Sequence, residues 1–155
     1  EVVGMNTAII RDSQGVGFAV PSNTILRELP YLVETGSYDR HPWLGLRGIN
    51  VNYYIAKAAG FNVTYGWLIQ EVIPGGPSDK AGLRGGTKTL TVLGTQIKIG
   101  GDLIISIDGH PVRNNDDIAR ILVEYTYPGQ TVNLTIIRDG LKLVVPVTLG
   151  KRPPP

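Results

Sequence analysis

The stretch GWLIQEVIPGGPSDKAGL at residues 66–83, followed by GGDLIISIDGHPV at 100–112, decides how this chain is read. Residues 66–73 are rich in apolar and β-branched side chains and predict a strand. Pro74-Gly75-Gly76-Pro77 is turn chemistry, and 78–83 supplies about one helical turn. Residues 102–107 form a second apolar run, hence a second strand, closed by the turn Asp108-Gly109.

Working outward, 43–46 enters a strand and 51–61 reads as a short helix with Gly60 near its end. Residues 87–99 alternate well enough for a hairpin around Gly94-Thr95. Asn115 is expected to cap a helix that runs to about Tyr125, with Ile118, Ile121, Leu122 and Tyr125 on its apolar face. Residues 131–138 and 142–149 form a hairpin about Asp139-Gly140, and 151–155 reads as a frayed, disordered, proline-ended tail. Upstream, 1–10 and 16–20 read as two strands joined by a turn at 12–15 and stopped by Pro21. A lone hairpin is marginal in water, so this one is expected to belong to a larger sheet or to pack on something. Residues 22–36 read as a helix with Ser22 as N-cap and Ile25, Leu26, Leu29, Leu32 and Val33 on one face. Pro30 should kink or split it and Gly36 should end it; 37–42 is a polar linker.

The chain has 155 residues, 42% of them apolar, enough for one domain with a real core, or one domain with an appendage. Gly (20) and Pro (11) exceed their usual share of about 12%, which marks a turn-rich fold. Only 18% of residues are charged and 15 basic residues stand against 13 acidic ones, which excludes a disordered polyelectrolyte and argues against a nucleic-acid binder. Cysteine is absent, so disulfides, thiolate catalysis and a cysteine zinc site are excluded. No apolar run approaches the roughly 20 residues of a membrane span, and no signal peptide is visible. The first residue is Glu1, and Val2-Val3-Gly4-Met5 already reads like the inside of a structure, so the chain is expected to be a piece of a longer protein.

Catalytic constellations are missing. None of the five serines lies in a Gly-x-Ser-x-Gly setting. His41 and His110 sit in a linker and beside a Gly-Pro-type turn, where a surface imidazole is the ordinary reading. The Gly-Lys pair of a P-loop is interrupted at Thr87, Gly15-Val16-Gly17 lacks its third glycine, and no His-carboxylate cluster suggests a metal. No catalytic residue, metal site or cofactor is expected.

One arrangement does carry chemistry. Leu44-Gly45-Leu46 leads into a strand, and much later an apolar-faced helix precedes the last hairpin. A glycine turn that enters a strand can aim successive backbone N–H groups at one point, an arrangement that captures an anion such as a terminal carboxylate. The strand that leaves the turn could then pair with an extended peptide while the helix walls the other side. The alternative is that Leu44 and Leu46 are core and Gly45 only a turn. For Arg40 and Arg47, near the loop, the alternatives are a solvated surface role and an electrostatic contribution to capture.

The order of the motifs bears on this choice. Trp43-Leu44-Gly45-Leu46, then 66–83, then 100–112, with the block V-x-P-x-(S/G)-P-x-x-x-A-G-L … G-D-x-I-x-x-I-x-G-x-x-V, strongly resembles the PDZ domain of HtrA/Do-type serine proteases. Residues 1–10 and 17–23 resemble the last strands of the trypsin-like protease barrel of the same family, so the resemblance covers essentially the whole chain. It implies a mainly β fold with two to three helices: a PDZ-like partly open β-barrel or sandwich, preceded by a hairpin remnant of the trypsin-like barrel and a linker helix. The implied organisation is 1–21 from the protease domain, 22–40 a linker helix, 41–150 the PDZ domain with an insert at 84–100, and 151–155 the tail. The catalytic serine segment, histidine and aspartate are not in this chain, so the parent is expected to be a serine endopeptidase and this chain inactive alone.

The implied function is capture of C-terminal or unfolded apolar peptide segments by β-strand addition, to recruit substrate or regulate proteolysis. The carboxylate would be held at Leu44, Gly45 and Leu46, with Ile118, Ile121 and Leu122 lining the side-chain groove. The alternative function is an assembly module that docks subunits of the protease oligomer. Implied partners are peptides, protein C-termini and unfolded proteins, with a homo-oligomer through the parent protease domain left open and no nucleic acid or membrane contact from this chain. The implied location is the cell envelope, periplasmic or extracytoplasmic.

Overall fold

In the computed structural model, which describes residues 2–9 and 17–153, the chain forms two units, Glu1–Asp39 and Arg40–Pro155. In the first, β1 (Gly4–Ile9) pairs antiparallel with β2 (Gly17–Pro21), with an irregular register between Asn6 and Ala8. The turn expected at 12–15 lies outside the described residues. Among those residues the pair forms a two-stranded sheet of its own.

Strand β2 runs straight into α1 (Ser22–Thr35). This corrects the expected cap: Pro21 holds the cap position without a side-chain bond, and Ser22 is already helical, its N–H donated to Val3 O at 3.0 Å. Helix α1 is not split at Pro30; Pro30 withholds one backbone bond and the helix continues past it. It ends as expected at Gly36, whose φ of 72° puts it in the left-handed region and whose N–H returns to Leu32 O. No residue of α1 is buried.

The second unit contains β3 (Pro42–Trp43), β4 (Leu46–Asn50), α2 (Tyr53–Ala59), β5 (Trp67–Val72), α3 (Pro77–Lys80), β6 (Lys88–Val92), β7 (Thr95–Ile99), β8 (Leu103–Ile107), β9 (His110–Pro111), α4 (Asn115–Tyr125), β10 (Thr131–Arg138), β11 (Leu141–Thr148) and β12 (Gly150–Lys151). The main sheet has the order β11-β10-β8-β5-β4, with β9 added to β8. The expected mainly β architecture holds: four helices, α1 included, and open sheets with no closed barrel among the described residues.

Local chemistry sets the element ends. Asn52 Oδ1 accepts from Ile55 N at 3.0 Å and starts α2 two residues later than 51. At α4 the cap is Asn114 and not Asn115: its side chain accepts from Asp117 N at 2.9 Å, because residue 117 is its third helical neighbour. The β6–β7 hairpin turn is Leu93-Gly94, one residue earlier than expected; like Asp108-Gly109 and Asp139-Gly140 it has positive φ at both positions, the primed geometry that matches strand twist.

The first residues of β5 (67–69) and β8 (103–104) are buried on both faces, which explains the apolar runs there. Neighbouring residues therefore serve opposite clusters. Ile69 and Ile104 join Ile121, Leu134 and Ile136 in the larger cluster, while Leu68 and Leu103 join Val51 and Ala56 of the α2 side. Asp102, 1% exposed, is held bidentate by Arg138 at 2.7 and 2.6 Å and also accepts from Arg84 N at 2.8 Å. That bond with Asp102 holds the Arg138 guanidinium pKa above its ordinary value. Residues 84–100, expected to be an insert, contain the β6–β7 hairpin, clamped to β5 by Gln70, which donates to Lys98 O at 2.7 Å and accepts from Lys98 N at 2.6 Å. The tail is not frayed at its start: Gly150 and Lys151 pair with Trp43 and Pro42, and Arg152 N donates to His41 O at 2.9 Å.

Candidate functional site

Strand β4 is the last strand of the main sheet. It pairs with β5 on one side, and among the described residues no further strand follows it in the sheet order. Such an edge offers a row of backbone donors and acceptors. Helix α4 stands beside it, and between the two lies a groove of about 320 Å³. Its lining includes Leu44, Gly45 and Leu46 at the entrance and Ile118, Ala119 and Leu122 along α4.

The entrance is a fixed piece of backbone. Gly45 has φ of +73°, a conformation that strains an L side chain. A Cβ there would also meet Pro77 Cδ at 3.2 Å and the Trp43 ring at 3.4 Å. The carbonyls of the turn are committed to the protein: Leu44 O accepts from Ser78 N at 3.1 Å and Gly45 O from Ile73 N at 2.9 Å. The Pro-Gly-Gly-Pro-Ser turn thus serves as the brace that holds Leu44-Gly45 in place.

The opposite wall is set by the cap of α4. Asn114 accepts from Asp117 N, and Asp117 Oδ2 accepts from Arg113 N at 2.9 Å, a reciprocal pair that satisfies two backbone donors. The Arg113 N–H bond, aided by Arg120 and opposed by partial burial, holds the Asp117 carboxyl below its ordinary value. Arg47 pairs with Glu71 at 3.5 Å with both side chains well exposed, a contact worth little. Among the described residues no three His, Cys, Asp or Glu gather as metal ligands.

Five of the six expected site residues come together here: Leu44, Gly45, Leu46, Ile118 and Leu122. Ile121 does not line the groove; it is 1% exposed and belongs to the core beneath α4. Tyr125, expected on the apolar face, is exposed and stacks on His110 with ring centroids 4.4 Å apart. Sequence reasoning missed Trp67, Trp43 and Ala119, which also line the groove. Strand alternation puts Trp67 on the face of Ile69, toward the larger cluster, but does not by itself open it to the groove.

The PDZ domain family matches over residues 42–149. The chain belongs to the PDZ domain family. Peptide binding is the general role of such domains. This PDZ chain is 35% identical over 152 residues to the periplasmic pH-dependent serine endoprotease DegQ of Escherichia coli (strain K12), covering 96% of this chain and 30% of that protein. It is 33% identical over 156 residues to a probable periplasmic serine endoprotease, DegP-like, of Hahella chejuensis, covering 99% of this chain and 30% of the relative. The chain therefore spans less than a third of the length of these curated relatives. Among solved structures, the HtrA-type protease AlgW with a decapeptide superposes with a TM-score of 0.71 at 27% identity over 99% of this chain and 43% of that one. AlgW with a tripeptide gives 0.64 at 30% identity, over 99% and 46%. The likeness to the PDZ-bearing part of HtrA/Do-type serine proteases holds across the chain.

Proposed function

We propose that the Arg40–Pro155 unit captures the free C-terminal ends or unfolded apolar segments of other polypeptides by strand addition to β4, and so recruits substrate to an HtrA-like serine protease or regulates it. The observation that carries this reading is the groove between the free edge of β4 and α4, opened at one end by the Gly45 turn. With the carbonyls of Leu44 and Gly45 committed inward, the N–H groups of Leu44, Gly45 and Leu46 take the carboxylate, in charge-assisted bonds stronger than neutral ones. Ile118 and Leu122 form the apolar wall for the terminal side chain, and Ile121 supports that wall from the core. In the same reading 1–21 are the closing strands of the protease domain and 22–40 its linker helix, and the protein works in the cell envelope. The likeness to HtrA-type proteases across 99% of this chain and the periplasmic names of the relatives support both statements.

Calorimetric titration of one apolar-ended peptide as free acid and as C-terminal amide tests the proposal. The free acid is expected to bind with a dissociation constant on the order of micromolar, and the amide at least about tenfold more weakly, the loss of charge-assisted bonds. Equal affinities overturn it. Self-association in sedimentation without peptide affinity would favour subunit docking instead.

A further inference from the structure

A second cavity, of about 490 Å³, is lined by Tyr65, Ile105, Ser106, Pro111, Arg113 and Lys142, none of which lines the groove. A bulge in β8 builds its floor. Strand β10 pairs Thr135 with Ser106 and Ile136 with Ile104, so Ile105 is left over. Ile104 and Ile107 accordingly both join the larger cluster, although strict alternation would part them, and Ile105 and Ser106 turn to the cavity on the other face. Pro111 and Arg113 flank Val112, which belongs to the larger cluster, and both are exposed. Lys142 comes from β11, opposite Ile137 of the α2-side cluster. The backbone here is held in place. Val112 N donates to Ile105 O at 2.9 Å, Gly66 N, next to Tyr65, donates to Arg113 O at 3.1 Å, and Arg113 N donates to Asp117 Oδ2 at 2.9 Å.

The polar side chains around this cavity are uncommitted. Among the described residues neither Arg113 nor Lys142 forms a salt bridge, and neither the Ser106 nor the Tyr65 hydroxyl makes a hydrogen bond. Asp117, the carboxylate that feels the Arg113 charge, is taken up by the Arg113 N–H and by Arg120 at 3.4 Å. Two cations and two hydroxyls thus converge on one concavity whose remaining lining, Ile105 and Pro111, is apolar. We infer that this cavity is a second binding site, for a phosphate monoester or inorganic phosphate. Such a group carries close to two negative charges at neutral pH, matching two cations. Its three or more terminal oxygens can use four donor groups, where a carboxylate offers only two oxygens. The planar fork of Arg113 fits phosphate geometry, and Lys142 adds a point charge. The apolar lining leaves a place for a carbon chain on the ester. The site does not depend on the peptide groove and stands whether or not that reading holds.

Amide NMR titrations of the full chain test this, with inorganic phosphate, with dihexanoyl phosphatidic acid kept below its micelle concentration, and with acetate at the same ionic strength. Saturable shifts at Tyr65, Ser106, Arg113 and Lys142 are expected with both phosphate probes, with a dissociation constant on the order of millimolar for inorganic phosphate. Acetate should bind at least about threefold more weakly. Arg113→Gln and Lys142→Gln should each weaken phosphate binding about three- to tenfold, and Ser106→Ala about threefold. Tighter binding of the lipid assigns a lipid-borne phosphate with its chain against Ile105 and Pro111; equal or weaker binding assigns free phosphate or a small ester, and both outcomes sustain the site. No saturable shift with either phosphate probe, shifts that acetate matches, or shifts that persist in a folded Arg113→Gln, Lys142→Gln double variant overturn it. Should the double variant not fold, the native chain decides: shifts centred on the four residues support the site, and shifts centred elsewhere overturn it.

Discussion

Helices α1 and α4 read alike in sequence, each with apolar residues three and four apart, yet they end in different circumstances. Helix α4 buries Ile118 and Ile121 against the sheet and is tied at its start by Asn114 and Asp117. Helix α1 has no fully buried residue, no side-chain cap and no acidic residue in its first turn, and carries Pro30 in its middle. Leu26 is 67% and Val33 77% exposed. Periodicity specifies a face; stability comes from what covers that face, because short helices are marginal by themselves.

The largest expected effect tests this contrast directly. Ile121→Ala should destabilise the Arg40–Pro155 unit by about 2–5 kcal/mol, the usual cost of emptying a core site. Leu26→Ala should stay within about 0.5 kcal/mol, as surface changes do. Urea unfolding of both variants gives the comparison, and equal costs would show that the α1 face is covered in solution. The second effect has the opposite sign. Pro30→Ala restores a backbone donor and removes a residue about 3 kcal/mol less favourable than Ala in a helix interior, so α1 should gain amide-exchange protection. Unchanged protection would mean that α1 is fixed by something other than its own helix propensity.

The same contrast explains what could be read beforehand. The β5 and β8 runs, the turns at Asp108-Gly109 and Asp139-Gly140, and the Leu44-Gly45-Leu46 entrance were legible because each is a local signal: an apolar run, a positive-φ pair, a glycine between leucines. Which of Ile118, Ile121 and Leu122 faces the groove and which the core was not legible, because a helical repeat cannot say which edge of an apolar stripe turns to a neighbouring strand; Ile121 turns to the core. Its i−3 neighbour Ile118 does both, at 6% exposure. Trp67 was passed over for a related reason. Its place in the groove depends on Gly48, nineteen positions earlier, which pairs with β5 at Ile69 across an irregular register and leaves room for the ring. The cap of α4 was missed by one residue because Asn114 and Asn115 are equally good caps in isolation, and only the Asp117–Arg113 bond distinguishes them.

The smallest effect concerns that cap, which α1 lacks. Asn114→Ala should cost about 1 kcal/mol, since it leaves the Asp117 N–H without its acceptor. Asp117 makes the cap pH-dependent. Its folded pKa lies below the ordinary 3.8, chiefly because its carboxylate accepts the Arg113 N–H. A carboxylate lowered in this way contributes stability that is fully present above the unfolded value and is lost as pH falls through the folded one. Asp117→Asn should therefore be less stable than the native chain at neutral pH, and the gap should narrow as pH falls below 3.8 toward the lowered folded value. Urea unfolding across that range measures it. A gap that stays constant would assign the effect to packing and not to the charge.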